Sequence, residues 1–492
     1  MELWRFQSFF SEGQGTERRC QCLTAWGGTQ TTKCAPEERV EGAGLRIALC
    51  ERCEQAAEQY GPPRVDACAV AGSLQWHIGH YQRVRDATVD PTIGETHRAV
   101  ARVVDRLGAN VGETALNWPE EKSFNRLFHK CLTDLDVDSS VGKCQMSRFG
   151  TTVKEALGWN GVEFDAGRVE FFRALVWDRI DRLSKGQSVA DPINLFVKQE
   201  PHKVSKIKDG RYRLISAVSL VDTMVDRLVF GHLEQLVWQH SPILIGWTPV
   251  NGGFRWLYEK LRDAPVLEID KKGWDWSLQP WVVDALEMVV KELTFGSNPV
   301  WEELVSARFR LLFEEAVFSW GGRELRQQEK GIMKSGCYLT IFLNSIAQLL
   351  LHELAMIRLG WSEEKIAPPY CMGDDTVQNA WLTEQELEKY EAELARAGCV
   401  VGESTVTKGS AGFTFCGFSV SRDRAVPAYA GKHAYQLLHL NPQDAEQTLD
   451  AYQQFYCFDR HFLGHVRDGL RTLSPRKLRS PMLMRYKFRG LE

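Results

Sequence analysis

Two acids stand where chemistry could use them. Asp270 closes the short apolar run VLEID at 266–270, and Asp374 follows Gly373 and precedes Asp375 in the segment PPYCMGDDTVQNA. Carboxylates at the ends of separate strands can share divalent cations, because magnesium prefers carboxylate and phosphate oxygens and keeps several waters. A pair of such ions about 3.5–4 Å apart can activate an attacking hydroxyl and hold a triphosphate, which is what nucleotidyl transfer requires. Each acid alone also has an ordinary reading as a turn former, so the residues around them decide.

Those acids need elements to hold them. Residues 266–270 read as a strand that stops on an acid. From about Gly336, the run GCYLTIFLNSIAQLLLHELAMIRL reads as a long buried helix; Asn344, Ser345, Gln348, His352 and Glu353 interrupt it too often for a membrane span. The segment around Gly373-Asp374-Asp375 predicts a hairpin with Gly-Asp at its turn. Residues 384–397 predict an amphipathic helix and residues 412–420 a strand pair. Upstream, 164–183 has helical spacing with Phe171, Phe172, Leu175, Val176 and Ile180 on one side, and 219–239 looks helical. INLFVKQE and RYRLISAV predict a β-hairpin about a turn at Lys208-Asp209-Gly210. The order of elements suits an α+β fold with a mixed sheet and helices on one face.

The composition, 44% apolar and 25% charged, excludes disordered and fibrous classes. A net charge of −4 does not announce a polyanion binder, but the distribution is uneven. Residues 197–213 hold six basic side chains against two acids, and 466–492 hold eight against two. A local basic channel is enough to hold nucleic acid. The 13 cysteines are scattered, and no secretory signal opens the chain, which points to free thiols in a reducing compartment. Cys20, Cys22, Cys34, Cys50 and Cys53 cluster in sequence, with His77 and His80 further on. Cys20, Cys34, Cys50 and Cys53 could form a structural Zn2+ site, against the alternative of ordinary free cysteines.

From about residue 135 onward the chain resembles the RNA-directed RNA polymerases of positive-strand RNA viruses. DKKGWD, Asp270 to Asp275, matches the pattern D-x-x-x-x-D; SGCYLTIFLNS, Ser335 to Ser345, matches S-G-x-x-x-T-x-x-x-N; and GDD at 373–375 completes the ordered set. LFVKQEPHK, GRYRLISAVSLVD and DKKGWDWS look most like the sobemovirus and polerovirus group of plant viruses.

The resemblance implies a right-hand polymerase with fingers, palm and thumb, its mixed palm sheet backed by helices. Residues 1–100 would form an N-terminal extension packing on or bridging to the fingers. Fingers would span 101–260, including the basic hairpin 192–216, with an insert at 291–330. The palm would comprise 261–290 and 331–425, and the thumb 426–492. Asp270 and Asp374, supported by Asp375, would hold two Mg2+ or Mn2+ ions. Asp275, Ser335, Thr340 and Asn344 would recognise the ribose 2′ hydroxyl, with Gly336 allowing close backbone approach. Lys198 and Arg213 would meet the incoming triphosphate, and Glu200 would orient a neighbouring base. Lys203, Lys206, Lys208 and Arg211 divide between channel and plain surface. Ser139, Ser140 and Gly142 resemble a loop that guides the template. Lys408 could protonate leaving pyrophosphate as a general acid, and Phe415 to Phe418 would lie in a primer-grip hairpin.

The implied partners are RNA template and nascent RNA, ribonucleoside triphosphates, a genome-linked viral protein serving as primer, and other viral replication proteins. The expected location is the host-cell cytoplasm, at membrane-associated replication complexes reached through partners, since no transmembrane segment is expected in the chain itself. A reverse transcriptase would share the metal carboxylates. It would usually lack the Asp275/Asn344 pair and favour an aromatic residue before its Asp pair. A non-catalytic RNA-binding scaffold would not need Asp270, Asp374 and Asp375 intact.

Overall fold

The computed structural model describes residues 10–12, 46–108, 112–113, 116–235, 241–295 and 298–491. Its organising element is a four-stranded antiparallel sheet, in the order Tyr370–Met372, Asp375–Asn379, Pro265–Lys271, Val401–Lys408. The mixed sheet expected from the order of elements is therefore not found here. The reason is geometric. Strand Pro265–Lys271 runs toward the edge where Asp270 lies, whereas Asp375–Asn379 starts at the hairpin tip and runs away. Setting both acids at one edge makes these neighbours antiparallel. Parallel pairing does occur in the five-stranded sheet, where Ile193–Val197 runs alongside Val317–Trp320.

Both faces of the central sheet are covered, not one. Leu267 and Ile269 belong to the larger core, while Val266 and Val377 belong to a second core shared with the C-terminal helices. Alternation along a strand produces this division, since successive side chains point to opposite faces. Against the Leu267 face lies helix Thr340–Leu359, apolar on every side and stopped by Gly360 in the left-handed conformation. It is long and apolar enough to cross a membrane, yet 83% of its most apolar stretch is buried inside the protein. It is a core helix. Helices Pro280–Leu293 and Ile93–Leu107 pack around it. The latter starts at a capping box in which the Thr92 hydroxyl accepts from Glu95 N and the Glu95 carboxylate accepts from Thr92 N.

The opposite face carries the three-stranded sheet of Phe413–Phe415, Phe418–Val420 and Ala425–Pro427. It also carries helix Gly253–Leu261 and the C-terminal helices Ala430–Leu438, Ala445–Phe455, Arg460–Leu473 and Pro481–Phe488. Upstream, the periodicity at 164–183 becomes helix Ala166–Ser184, which buries Phe172, Val176, Ile180 and Leu183. The helix expected over 219–239 is shorter: Leu220–Phe230 capped by Ser219, then a 3-10 turn to Gln235; residues 236–240 lie outside the described set. The two expected strands of the basic hairpin pair antiparallel, Ile193–Val197 with Leu214–Ala217. Their connection is not a simple turn, because it folds into a short strand at His202–Lys203 and a helix at Val204–Lys208. The first hundred residues, whose structure the sequence left open, include helices Glu51–Ala57 and Ala67–Ala87. The first packs on helix Ala430–Leu438, and the second reaches strands Ile193–Val197 and Leu214–Ala217.

Candidate active site

The site is built from a register. Val377 pairs with Glu268 and Asn379 with Val266. Carried two residues further, the same ladder sets Asp375 opposite Asp270, on the face shared by Val266, Glu268 and Val377. Asp374 is the second residue of a two-residue loop closed by the Met372–Asp375 pair, and Gly373 supplies the positive φ of 67° that the loop needs. The backbone of this loop is tied down twice. The Ser345 hydroxyl accepts from Gly373 N at 2.9 Å, and Lys271 Nζ donates to Asp374 O at 3.0 Å and Thr376 Oγ1 at 2.6 Å. Burial pushes the Asp375 carboxyl up to about 6, and the charges of Asp374 and Asp270 push the same way. Cys416, at the tip of the next hairpin, faces Asp375. Beside Asp270 the backbone of Gly402 comes so close that a Cβ there would lie 2.5 Å from Asp270 Oδ2. Three carboxylates held together this way suit hard divalent cations, which would relieve their mutual repulsion.

Next to the acids, Gly273 in the left-handed region opens a short helix, Trp274–Ser277. This helix turns Asp275 toward helix Thr340–Leu359, where Asn344 Nδ2 donates to Asp275 Oδ1 at 2.9 Å. Asn344 Oδ1 in turn accepts from Trp274 Nε1 at 2.8 Å, so the amide cannot flip without losing a bond. Burial pushes the Asp275 carboxyl up to about 6, with Asp374 adding to it. The loop before the helix lies against strand Leu214–Ala217. Ser335 Oγ accepts from Ser216 N at 3.2 Å, and a Cβ on Gly336 would meet Ser216 O at 2.8 Å. Close approach is thus what Gly336 permits, although toward the strand. The Thr340 hydroxyl lies within hydrogen-bonding distance of Lys334 O (2.7 Å) and Cys337 O (2.9 Å), engaged inside its own loop.

The basic run gathers around one acid. Glu200 pairs with Lys432 at 2.9 Å, Arg213 at 3.0 Å and Lys198 at 3.3 Å. Burial alone would raise its carboxyl, but the three cations outweigh burial and hold it below the ordinary value. Lys206 is close enough to feel Asp270, while burial and neighbouring Arg213, Lys203 and Arg211 hold its ammonium below the usual range. Arg211 instead lies over the Trp76 ring at 5.2 Å and pairs with Asp209, and Lys203 sits on the strand paired with Tyr60. In the loop at 139–142, Ser139 Oγ donates to Asp136 Oδ2 and Ser140 Oγ accepts from Gly142 N. Gly142 has a φ of 63°, and a Cβ there would lie 2.9 Å from Ser219 Cα.

One expectation is not met by this geometry. Lys408 pairs with Pro265, at the far end of strand Pro265–Lys271 from Asp270. Five residues of strand separate them along the sheet, roughly 17 Å, so Lys408 is not part of the acid cluster. Cys20 and Cys34 lie outside the described residues. They are two of the four cysteines expected to hold zinc, and His77 Nε2 lies 2.9 Å from Tyr212 O. Sequence reasoning missed Lys271, Cys416 and Lys432. It named Ser345 as an interruption of an apolar run and as the end of the segment Ser335 to Ser345, without a role at the Gly373 turn. Each of the three missed residues meets its partner, Asp374, Asp375 or Glu200, only through the fold, across 103, 41 or 232 residues of sequence.

Carboxylates at one sheet edge, flanked by a buried acid–amide pair and a cluster of cations, make a site able to hold divalent metal beside phosphate. The family model described as viral RNA-dependent RNA polymerase matches residues 163–430, more than half of the chain. The chain is 33% identical over 299 residues to the replicase polyprotein P2AB of Southern cowpea mosaic virus, covering 56% of this chain and 29% of that protein. It is 26% identical over 440 residues to protein P1-P2 of potato leafroll virus, covering 80% and 38%. With the RNA-directed RNA polymerase of mushroom bacilliform virus the identity is 29% over 283 residues, covering 56% and 66%. The chain therefore belongs to the viral RNA-dependent RNA polymerase family, and its similarity to sobemovirus and polerovirus replicases sets it among those of plant positive-strand RNA viruses. It spans less than two fifths of the length of the replicase polyproteins it matches.

Proposed function

We propose that this chain synthesises RNA from ribonucleoside triphosphates on a viral RNA template. The observation that carries the reading is the antiparallel register of Val377 with Glu268, which continued by two residues sets Asp375 opposite Asp270, with Asp374 at the turn closed by Met372 and Asp375. Asp270 and Asp374 would hold two Mg2+ or Mn2+ ions, with Asp375 in support. Those ions, when bound, lower the pKa of the attacking hydroxyl and neutralise charge on the phosphates. The chain's own residues orient the reaction. Lys271 and Ser345 fix the backbone that presents Asp374. Asp275 and Asn344 form a polar pair in which Asp275 Oδ1 accepts from Asn344, and Asp275 Oδ2 would accept from a ribose 2′ hydroxyl, a bond that a deoxyribose cannot make. Lys198 and Arg213 supply positive charge to the triphosphate, and Glu200 holds them in place.

In this reading the central antiparallel sheet with helix Thr340–Leu359 is the palm of a right hand. The five-stranded sheet and its helices form the fingers, and the helices from Ala430 onward form the thumb. The N-terminal helices bridge fingers and thumb. RNA and further viral replication proteins are the partners the reading calls for, a genome-linked protein primer among them. Primer extension on a short RNA template tests it, with wild type beside Asp374→Ala. The expected outcome is a product that needs divalent metal and is lost in the variant. No metal-dependent product from wild type, across metals and primers, overturns the proposal.

A further inference from the structure

Away from the acids, the N-terminal segment meets the C-terminal helices at four side chains that polymer synthesis does not use. One ligating atom each from Cys50, Cys53, His461 and His465 lie within 4.8 Å of one another. We propose that these residues form a structural Cys2His2 zinc site that clamps residues 46–57 onto helix Arg460–Leu473.

The two halves have the spacing zinc requires, Cys-x2-Cys and His-x3-His, although more than 400 residues of chain separate them. Cys53 N and Glu54 N both donate to Cys50 O, at 2.9 and 3.0 Å, a tight turn that sets the two thiols side by side. His461 and His465 are one helical turn apart on the same face of their helix, with ring centroids 5.2 Å apart. Cys50 Sγ is 4.0 Å from His461 Nδ1. Tetrahedral zinc with bonds of about 2.0–2.3 Å wants its ligand atoms roughly 3.3–3.8 Å apart, so inward side-chain rotation of about an ångström closes the shell. An independent sign comes from His465, whose Nε2 is buried with no hydrogen-bond partner. A buried ring nitrogen without a partner is costly unless something coordinates it.

Other contacts hold the two backbones in place around the cluster. Ile47 N donates to Leu437 O at 3.0 Å, and a Cβ on Gly469 would lie 2.6 Å from Ile47 Cδ1. Helix Glu51–Ala57 rests on helix Ala430–Leu438 closely enough that a Cβ on Gly431 would meet Ala56 O at 2.7 Å. Two thiolates balance the charge of the dication and two neutral imidazoles add none, leaving a neutral centre. Their softness favours zinc over magnesium or calcium.

The test is the metal content of the full chain, purified with zinc in the medium and then desalted. About one zinc per chain is expected in wild type and in Asp374→Ala. It should be lost in the paired variants Cys50→Ser/Cys53→Ser and His461→Ala/His465→Ala, and kept in Cys20→Ser/Cys34→Ser. Wild type without zinc, or zinc that survives both pairs, follows Asp374, or departs with Cys20 and Cys34, overturns the site. If the paired variants do not fold, X-ray absorption on zinc-loaded wild type decides. Two sulfurs at about 2.3 Å and two nitrogens at about 2.0–2.1 Å are expected; four sulfurs, or oxygen and nitrogen alone, overturn it. Neither readout depends on RNA synthesis, so the site and the polymerase reading fail separately.

Discussion

Asn344 Nδ2 donates to Asp275 Oδ1 at 2.9 Å across the cleft between helix Thr340–Leu359 and the short helix that follows strand Pro265–Lys271. The pair links a helix of the core to the edge of the sheet, and it sits beside the acids at 270 and 374. Removing the amide leaves a buried carboxylate with one partner fewer. Hydrogen bonds to charged groups are worth about 1.5–3 kcal/mol, or roughly 10–100-fold. Asn344→Ala is expected to reduce discrimination between ribo- and deoxyribonucleotides by about that factor, measured as the ratio of kcat/KM values on one RNA template. Unchanged discrimination would remove the pair from nucleotide selection. The same comparison in wild type separates this enzyme from a reverse transcriptase.

The Asp275 carboxyl has a second consequence. Its pKa is raised by burial to about 6, against an ordinary 3.8. Between those values the folded protein binds more protons than the unfolded chain, so stability falls as pH rises through this window and stays reduced above it. Asp275→Asn keeps the shape and removes the cost. In chelator, the variant should be more stable than wild type at pH 7, by up to about 3 kcal/mol, and the advantage should vanish near pH 4. Denaturant midpoints across pH measure it; a constant difference at all pH values would contradict the titration.

Gly402 leaves the Asp270 carboxylate room. A methyl group there would lie 2.5 Å from Oδ2 and must displace it. Because misplacement of about 1 Å can cost on the order of 10²-fold in rate, Gly402→Ala should lose most of its primer-extension rate, and its thermal midpoint should fall because the same Cβ would lie 2.9 Å from the Asp270 backbone O.

Lys271 and Lys408 make a matched comparison on neighbouring strands. Lys271→Met removes the bonds to Asp374 O and Thr376 Oγ1, and a rate loss on the order of tenfold or more is expected from the loosened turn. Lys408→Gln, at the other end of the sheet, should leave the rate within about twofold. Steady-state rates at saturating nucleotide decide, and a large loss in Lys408→Gln would mean that the lysine reaches the acids in some other arrangement.

A buried ion network anchors the helix before the Val317–Trp320 strand. Arg308 is 1% exposed and donates to Asp226 at 2.6 and 3.1 Å, with Asp222 at 3.4 Å. Taking away one partner leaves an uncompensated buried charge, so Arg308→Leu should cost about 3–5 kcal/mol. The shift in urea midpoint at constant m-value measures it. Arg308→Leu combined with Asp226→Leu should recover part of the loss.

Much of the acid cluster was legible because each of its parts is local in sequence. A strand that stops on Asp270, a Gly-Asp turn and a long apolar helix carrying Asn344 are all patterns within twenty-odd residues. Their mutual placement followed from the ordered motifs. The basic residues that reach the same place from elsewhere were not legible. Lys432 meets Glu200 across 232 residues of chain, and Cys416 meets Asp375 only because two hairpins stack. Lys408 shows the converse. Its position just before a strand pair suggested a role, but strand Val401–Lys408 passes Asp270 at its beginning and ends elsewhere. The all-round apolar character of helix Thr340–Leu359 announced its burial, whereas the second core on the other sheet face draws on residues from Ile47 to Phe488 and has no local signature.

If the proposed reading holds, Glu200 is a placeholder anion. It keeps two lysines and an arginine from three stretches of chain assembled within 3.3 Å. A polyanion arriving there finds its cations already collected, and little side-chain freedom is left to be lost on binding. In the proposed reading the standing carboxylate would also set a threshold: a singly charged anion would compete poorly with it, and a triphosphate would compete well.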